Sequence, residues 1–144
     1  MKIRDVLNRK GRQVVTVSPN HPVREAVSLL VDHDIGSLVV ENSGEIAGII
    51  TERDALRLAA RDPNGWPEIP VSDVMTEELL VAVEDDDLDY IREIMTENRV
   101  RHLPIVEDGD LRGIVSIGDV VNASRRNVKA ENRYLRRYIR GDVR

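Results

Sequence analysis

Apolar positions along the chain fall into two rhythms, and the order of those rhythms occurs twice. Val14-Val15-Thr16-Val17 is a β-branched run closed by Ser18-Pro19, which predicts a strand. Val23, Ala26, Val27, Leu30 and Val31 follow at i, i+3, i+4, i+7 and i+8, the stripe of an amphipathic helix, with Pro22 in its first turn. Ser37 to Val40 is a second strand. Asn42-Ser43-Gly44-Glu45 supplies a turn, and Ile46 to Ile50 returns antiparallel. Ala55, Leu56, Ala59 and Ala60 then predict a helix over 52–60. The second round predicts a strand at Leu80 to Val83 and a helix marked by Leu88, Ile91, Ile94 and Met95. A hairpin follows from His102–Val106 and Leu111–Val115 around Glu107-Asp108-Gly109-Asp110, and a helix runs from Ile117 to Ala123.

The two rounds align without a gap at an offset of sixty-five from Pro22 to Leu56. Leu38/Leu103, Gly44/Gly109, Gly48/Gly113, Ile49/Ile114 and Asp54/Asp119 are identical across it. Each unit therefore reads β-α-β-β-α, with two parallel strands joined by the crossover helix and an antiparallel third. A three-stranded sheet cannot cover its own face, so the copies should pack on each other about a pseudo-two-fold axis. The expected fold is α/β (α+β). Residues 1–62 form the first motif, 63–70 a breaker-rich linker, 71–125 the second motif, and 126–144 a basic C-terminal helix or tail. A small matching element precedes each unit: Ile3-Arg4-Asp5-Val6-Leu7 and Val71-Ser72-Asp73-Val74-Met75.

Composition narrows the function. Among 144 residues there is no cysteine, which removes disulfides, thiolate zinc sites and cysteine nucleophiles and fits a cytoplasmic location. There is no phenylalanine and aromatics are 3%, so the core must be aliphatic. No secretory leader follows Met1, and no run approaches the ~18 apolar residues of a membrane span. The net charge of −5 is uneven. Residues 122–144 hold eight basic residues against two acidic ones, a balance of +6, which leaves −11 on the remainder. An acidic body argues against nucleic-acid backbones as partners. On the tail, Val128, Leu135 and Ile139 share one helical face. That face reads as docking on an acidic neighbouring surface, or, as a basic amphipathic helix, as a contact for a partner protein, a membrane surface or nucleic acid.

The chemistry concentrates in two heptads, Gly48-Ile49-Ile50-Thr51-Glu52-Arg53-Asp54 and Gly113-Ile114-Val115-Ser116-Ile117-Gly118-Asp119. In each, a strand passes into a helix. The first N–H groups of that helix lack internal partners and favour an anion. Thr51 or Ser116 can donate to a phosphate oxygen, and Asp54 or Asp119 can accept from both hydroxyls of a ribose. The same residues also read as capping boxes that satisfy only the helix itself. Gly118 allows close approach of a ligand to the backbone, whereas Arg53 at the matching place either blocks the cleft or holds a phosphate. Three scattered histidines and the solvated turn Glu84-Asp85-Asp86-Asp87 give no metal site. No nucleophile stands beside an evident base, so no enzyme is expected.

The paired Gly-h-h-[Thr/Ser]-x-x-Asp endings (h is aliphatic), the openings Val17-Ser18-Pro19 and Val83-Glu84-Asp85, and Arg101-His102-Leu103-Pro104-Ile105-Val106 resemble a CBS-domain pair, or Bateman module, over about residues 1–125. The resemblance implies a stand-alone signal-transduction protein with no obligatory cofactor. It would bind an adenosine nucleotide, AMP first, with ADP, ATP, NAD or S-adenosylmethionine as alternatives, in clefts between the copies. Arg101 and His102 would meet phosphates. Val14, Val15 and Ile35, with Gly36 leaving room for the sugar, would serve the Asp119 cleft; Leu80, Val81 and Val100 would serve the Asp54 cleft. The more open rim at Ser116–Asp119 makes that cleft the expected main site. A homodimer and an unidentified downstream protein are the implied partners. The competing reading is a ligand-free interaction or dimerisation module.

Overall fold

A computed structural model describes residues 1–126; the tail, from residue 127 onward, lies outside the described residues. Helix α1 (Ile3–Lys10) is followed by β1 (Thr16–Val17), α2 (Val23–His33), β2 (Ser37–Asn42), β3 (Glu45–Thr51) and α3 (Glu52–Arg61). Two short 3-10 turns, Trp66–Glu68 and Val71–Asp73, lead to α4 (Leu88–Asn98), β4 (His102–Glu107), β5 (Asp110–Ser116) and α5 (Ile117–Arg126).

In the first sheet, β1 pairs parallel with β2, Thr16 opposite Val39, and β2 pairs antiparallel with β3 from Ser37↔Thr51 to Asn42↔Glu45. The β4–β5 hairpin repeats this register from His102↔Ser116 to Glu107↔Asp110, with a register shift at the equivalent place, Ile105/Val106 after Val40/Glu41. The hairpin turns also match. Ser43 and Gly44 have φ of 53° and 83°, Asp108 and Gly109 of 52° and 80°, the paired positive values of the two-residue turn that suits twisted strands.

One predicted element is not formed. Residues 80–83 do not make a strand: a single parallel bridge, Ala82 to Ile105, stands where the second sheet's third strand was expected. The backbone beyond it is engaged elsewhere. The Val83 N–H donates to Asp86 Oδ2 (2.9 Å) and the Glu84 N–H to Glu107 Oε1 (3.0 Å), while the Glu84 carbonyl accepts from Arg4 N–H (2.9 Å). Leu80, Val81 and Val83 are consequently exposed.

The elements that precede each copy pack on the other copy. Ile3, Val6 and Leu7 of α1 lie in the second core with Ile91, Met95, Leu103 and Val115. Val71 lies in the first core with Leu30, Leu38 and Ile50, and Val74 and Met75 pack against it. The same clamp fastens both. Ile3 N–H donates to the Asp86 carbonyl (2.9 Å) and Leu88 N–H to the Met1 carbonyl (3.0 Å); Val71 N–H donates to the His21 carbonyl and Val23 N–H to the Ile69 carbonyl, both at 2.8 Å. Both cores are aliphatic, with Met95 the one buried thioether. Glycines make the close approaches possible. A Cβ on Gly113 would stand 2.8 Å from Leu7 Cδ2, and one on Gly48 2.7 Å from the Thr76 carbonyl.

Candidate functional site

Both heptads form the strand-to-helix passages that the sequence predicts, and both close as capping boxes. Asp54 N–H donates to Thr51 Oγ1 (3.2 Å), while the Thr51 N–H and hydroxyl both donate to Asp54 Oδ2 (2.9 and 3.1 Å). Asp119 N–H donates to Ser116 Oγ (3.1 Å) and Ser116 N–H to Asp119 Oδ2 (2.8 Å). In both copies the cap uses one carboxylate oxygen, Oδ2. Neither cap engages the Oδ1 oxygen of its aspartate.

At Asp54 a cavity of about 690 Å³ opens along the seam between the copies. It brings together Thr51, Arg53 and Asp54 from the first copy with Leu80, Val100, Arg101 and His102 from the second. Val81 is not in its lining; with residues 80–83 out of the sheet, its side chain is 54% exposed. The cavity also gains Arg57, Glu78 and Arg99, which sequence reasoning missed. Arg57 had a signal, since it lies four residues after Arg53 and so on the same face of α3. Arg99 had none: it caps α4 in the left-handed conformation, φ 55°, a geometry that the other three non-glycine cases among the described residues, Asp34, Ser43 and Asp108, assign to Asp or Ser.

The Asp119 cleft differs from its expected form. Lys10, in the last turn of α1, donates to Asp119 Oδ2 (2.6 Å) and to the Ile114 carbonyl (2.8 Å). The rim expected to be open is thus occupied by the chain's own ammonium. A cavity of about 180 Å³ touches Asp119 on the α1–α5 side, and Val14, Val15, Ile35 and Gly36 are not in its lining. Val15 and Ile35 pack instead against the first core. Nor does Gly36 leave an empty space. A Cβ there would stand 3.1 Å from His102 Nε2 and 3.5 Å from Glu52 Oε1, so the imidazole fills the room assigned to a sugar. Gly118 is open, with only Ser116 Oγ at 3.5 Å. Lys10 was missed because nothing in the local pattern tells that α1 crosses to the second copy.

His102 lines the Asp54 cavity and stands against Gly36. Burial depresses its pKa below the ordinary 6.5; Glu52 and Asp119 pull it up, Lys10 and Arg101 push it down, and burial dominates. The imidazole is therefore neutral near pH 7. Among the described residues no group of His, Asp and Glu could hold a metal ion, and no helix is long and apolar enough to cross a membrane.

Two repeated α/β units that clamp each other across a seam, with matched helix N-termini facing it, define a paired-repeat module. The family model described as CBS domain matches residues 3–61 and again 71–126, and the chain belongs to that family. It is 36% identical over 148 residues to the mitochondrial CBS domain-containing protein CBSX3 of Arabidopsis thaliana, covering 96% of this chain and 72% of that one. Its fold matches the crystal structure of the CBS-domain containing protein ATU1752 from Agrobacterium tumefaciens, with a TM-score of 0.83 at 42% identity over 85% of this chain and 92% of the other. It also matches the CBS domain pair of protein MJ0100, solved in complex with 5′-methylthioadenosine and S-adenosyl-L-methionine, with a TM-score of 0.76 at 25% identity over 85% and 94%.

Proposed function

We propose that the protein is a regulatory sensor that binds an adenosine nucleotide in the Asp54 cleft and signals by changing how its two copies pack. The observation that carries this reading is the 690 Å³ cavity itself, which joins a capped helix N-terminus of one copy to the Arg101–His102 edge of the other. In it, Asp54 Oδ1 takes the ribose hydroxyls, Leu80 and Val100 flank the base, and the cationic side chains take phosphate. A ligand touching both copies stabilises one relative packing over another, which is all that signalling requires. Support from relatives is limited to class: the MJ0100 pair holds adenosine compounds. The second cleft, with Ser116, Gly118 and Asp119, becomes a ligand site in this reading only when Lys10 leaves Asp119; the slot of Val14, Val15, Ile35 and Gly36 would further require His102 to turn away.

Titration calorimetry with AMP, ADP, ATP, NAD and S-adenosylmethionine tests the proposal on protein shown to be free of co-purified nucleotide. At least one compound should bind at one site per chain, and Asp54→Ala should weaken it at least tenfold. No binding by any of them leaves the ligand-free interaction module as the correct reading.

A self-associating form is the second element of the proposal. A groove of about 530 Å³ runs between α2 and α3, and beside it Val31 and Leu56 are 72% and 70% exposed. Such an apolar strip favours a homodimer in the cytoplasm, with a further protein reading its shape. Sedimentation of the parent and of a Val31→Glu/Leu56→Glu variant checks it: the parent should be dimeric and the variant monomeric.

A further inference from the structure

Four guanidiniums, those of Arg53, Arg57, Arg99 and Arg101, line the Asp54 cavity. Six other cations among the described residues find carboxylates: Lys2 with Asp87, Arg4 with Asp85, Lys10 with Asp119, Arg12 with Glu84, Arg24 with Glu68 and Arg92 with Asp89. Arg9, Arg61 and Arg112 make no ion pair, but they stand on three separate elements and outside this cavity. Among the described residues no ion pair or side-chain hydrogen bond involves any of the cavity's four arginines. The three carboxylates of the lining do not answer them. Asp54 is committed to its helix cap, Glu52 stands at the Gly36–His102 side, and Glu78 makes no pair.

The arginines also come from two directions. Arg53 and Arg57 stand one turn apart on α3, in the first copy. Arg99 and Arg101 flank Val100 at the passage from α4 to β4, in the second. Like charges facing one another across a cavity are mutually repulsive, and an anion between them relieves the repulsion from both sides. A single phosphate is a compact target that one or two guanidinium forks saturate. Four forks on opposite walls suit a longer anion.

We infer that the Asp54 cleft selects an adenosine ligand with two or more linked phosphates over a monophosphate or an uncharged adenosine compound. This rests on the cleft being the nucleotide site, and it names the part of the ligand that decides affinity. Linked phosphates occur in nucleoside di- and triphosphates and in dinucleotides, so both sources belong in the test.

Calorimetry on the full chain with adenosine, AMP, ADP, ATP and NAD, at two salt concentrations, reads the preference. ADP, ATP or NAD should bind at least tenfold more tightly than AMP, with the steeper loss in salt for ATP. Arg57→Gln and Arg99→Gln should each weaken the preferred ligand at least fivefold and AMP less than twofold. Arg61→Gln, which removes the same charge from the far end of α3, should change neither. AMP binding as tightly as ADP, ATP and NAD overturns the inference while the site assignment stands. Equal losses for AMP and the preferred ligand in the two arginine variants also overturn it. If no adenosine compound binds, the site assignment itself has failed.

Discussion

Leu7 and Gly113 test the crossed packing directly, because they are far apart in sequence and in contact only if α1 lies on the second copy. Leu7 is fully buried, and its Cδ2 lies 2.8 Å from where a Cβ on Gly113 would stand. Leu7→Ala removes three buried carbons at about 0.8 kcal/mol each, so transfer alone accounts for about 2.4 kcal/mol. The residual cavity should raise the loss to roughly 3–4 kcal/mol. Gly113→Ala inserts a methyl group into a filled space and should cost about 1–3 kcal/mol, since Leu7 has no exposed direction in which to turn. The double variant is the decisive one. The new methyl group occupies part of the space Leu7 vacates, so its loss should fall short of the sum of the single losses by at least 1 kcal/mol. Urea unfolding of all four proteins, with a common m-value, measures this. Losses that add to within about 0.5 kcal/mol would show that the two residues do not touch, and the crossed arrangement would have to be abandoned.

The remaining predictions concern the glycine bridge, the second cleft and the histidine. Gly48→Ala should destabilise more than Gly113→Ala, because its Cβ meets the Thr76 carbonyl and can be accommodated only by opening the Ile49–Thr76 bridge; the same urea series compares them. Lys10→Ala should free Asp119 and raise nucleotide stoichiometry from one toward two per chain in calorimetry, with the fold intact by circular dichroism. An unchanged stoichiometry rejects Lys10 as the occupant that matters. His102 has a folded pKa below its unfolded 6.5, so the unfolded chain binds more protons in that window and stability must rise with pH through it. Acidifying from pH 7 through the window should cost the parent more stability than His102→Gln. A phosphate placed beside the ring restores the charged form, so binding should take up a proton near pH 6; heats measured in buffers of different ionisation enthalpy detect it.

The repeat, the hairpins and the helix stripes were legible because each is a local rhythm. Gly44 and Gly109 mark their turns, and the apolar spacing from Val23 to Leu30 and from Leu88 to Met95 marks the helices that bury them. The 80–83 segment misled for the same local reason. Its β-branched residues have strand character, but Asp86, Glu107 and the α1 backbone claim the hydrogen bonds a strand needs. In the heptads, the hydroxyls and carboxylates stand at the strand-to-helix passages that the sequence predicts. The relative openness of the two clefts depended on Lys10, which reaches Asp119 from the first copy, and on His102, which reaches Gly36 from the second, and no spacing within the heptad encodes that. Arg57 could have been found from its distance to Arg53; Arg99 required the fold.

The reciprocal clamp has a consequence for the ancestry of the chain. Ile3 and Val71 complete cores that belong to the other repeat, and they do so with the same pair of backbone hydrogen bonds. Two single-repeat polypeptides exchanging their leading segments would make this arrangement before any gene fusion. Tandem duplication then converts an association between molecules into one within a molecule, at the high effective concentration that a short connection enforces. Separately expressed halves, cut within residues 62–69, should therefore find each other again and restore the native spectrum, each supplying the piece its partner lacks.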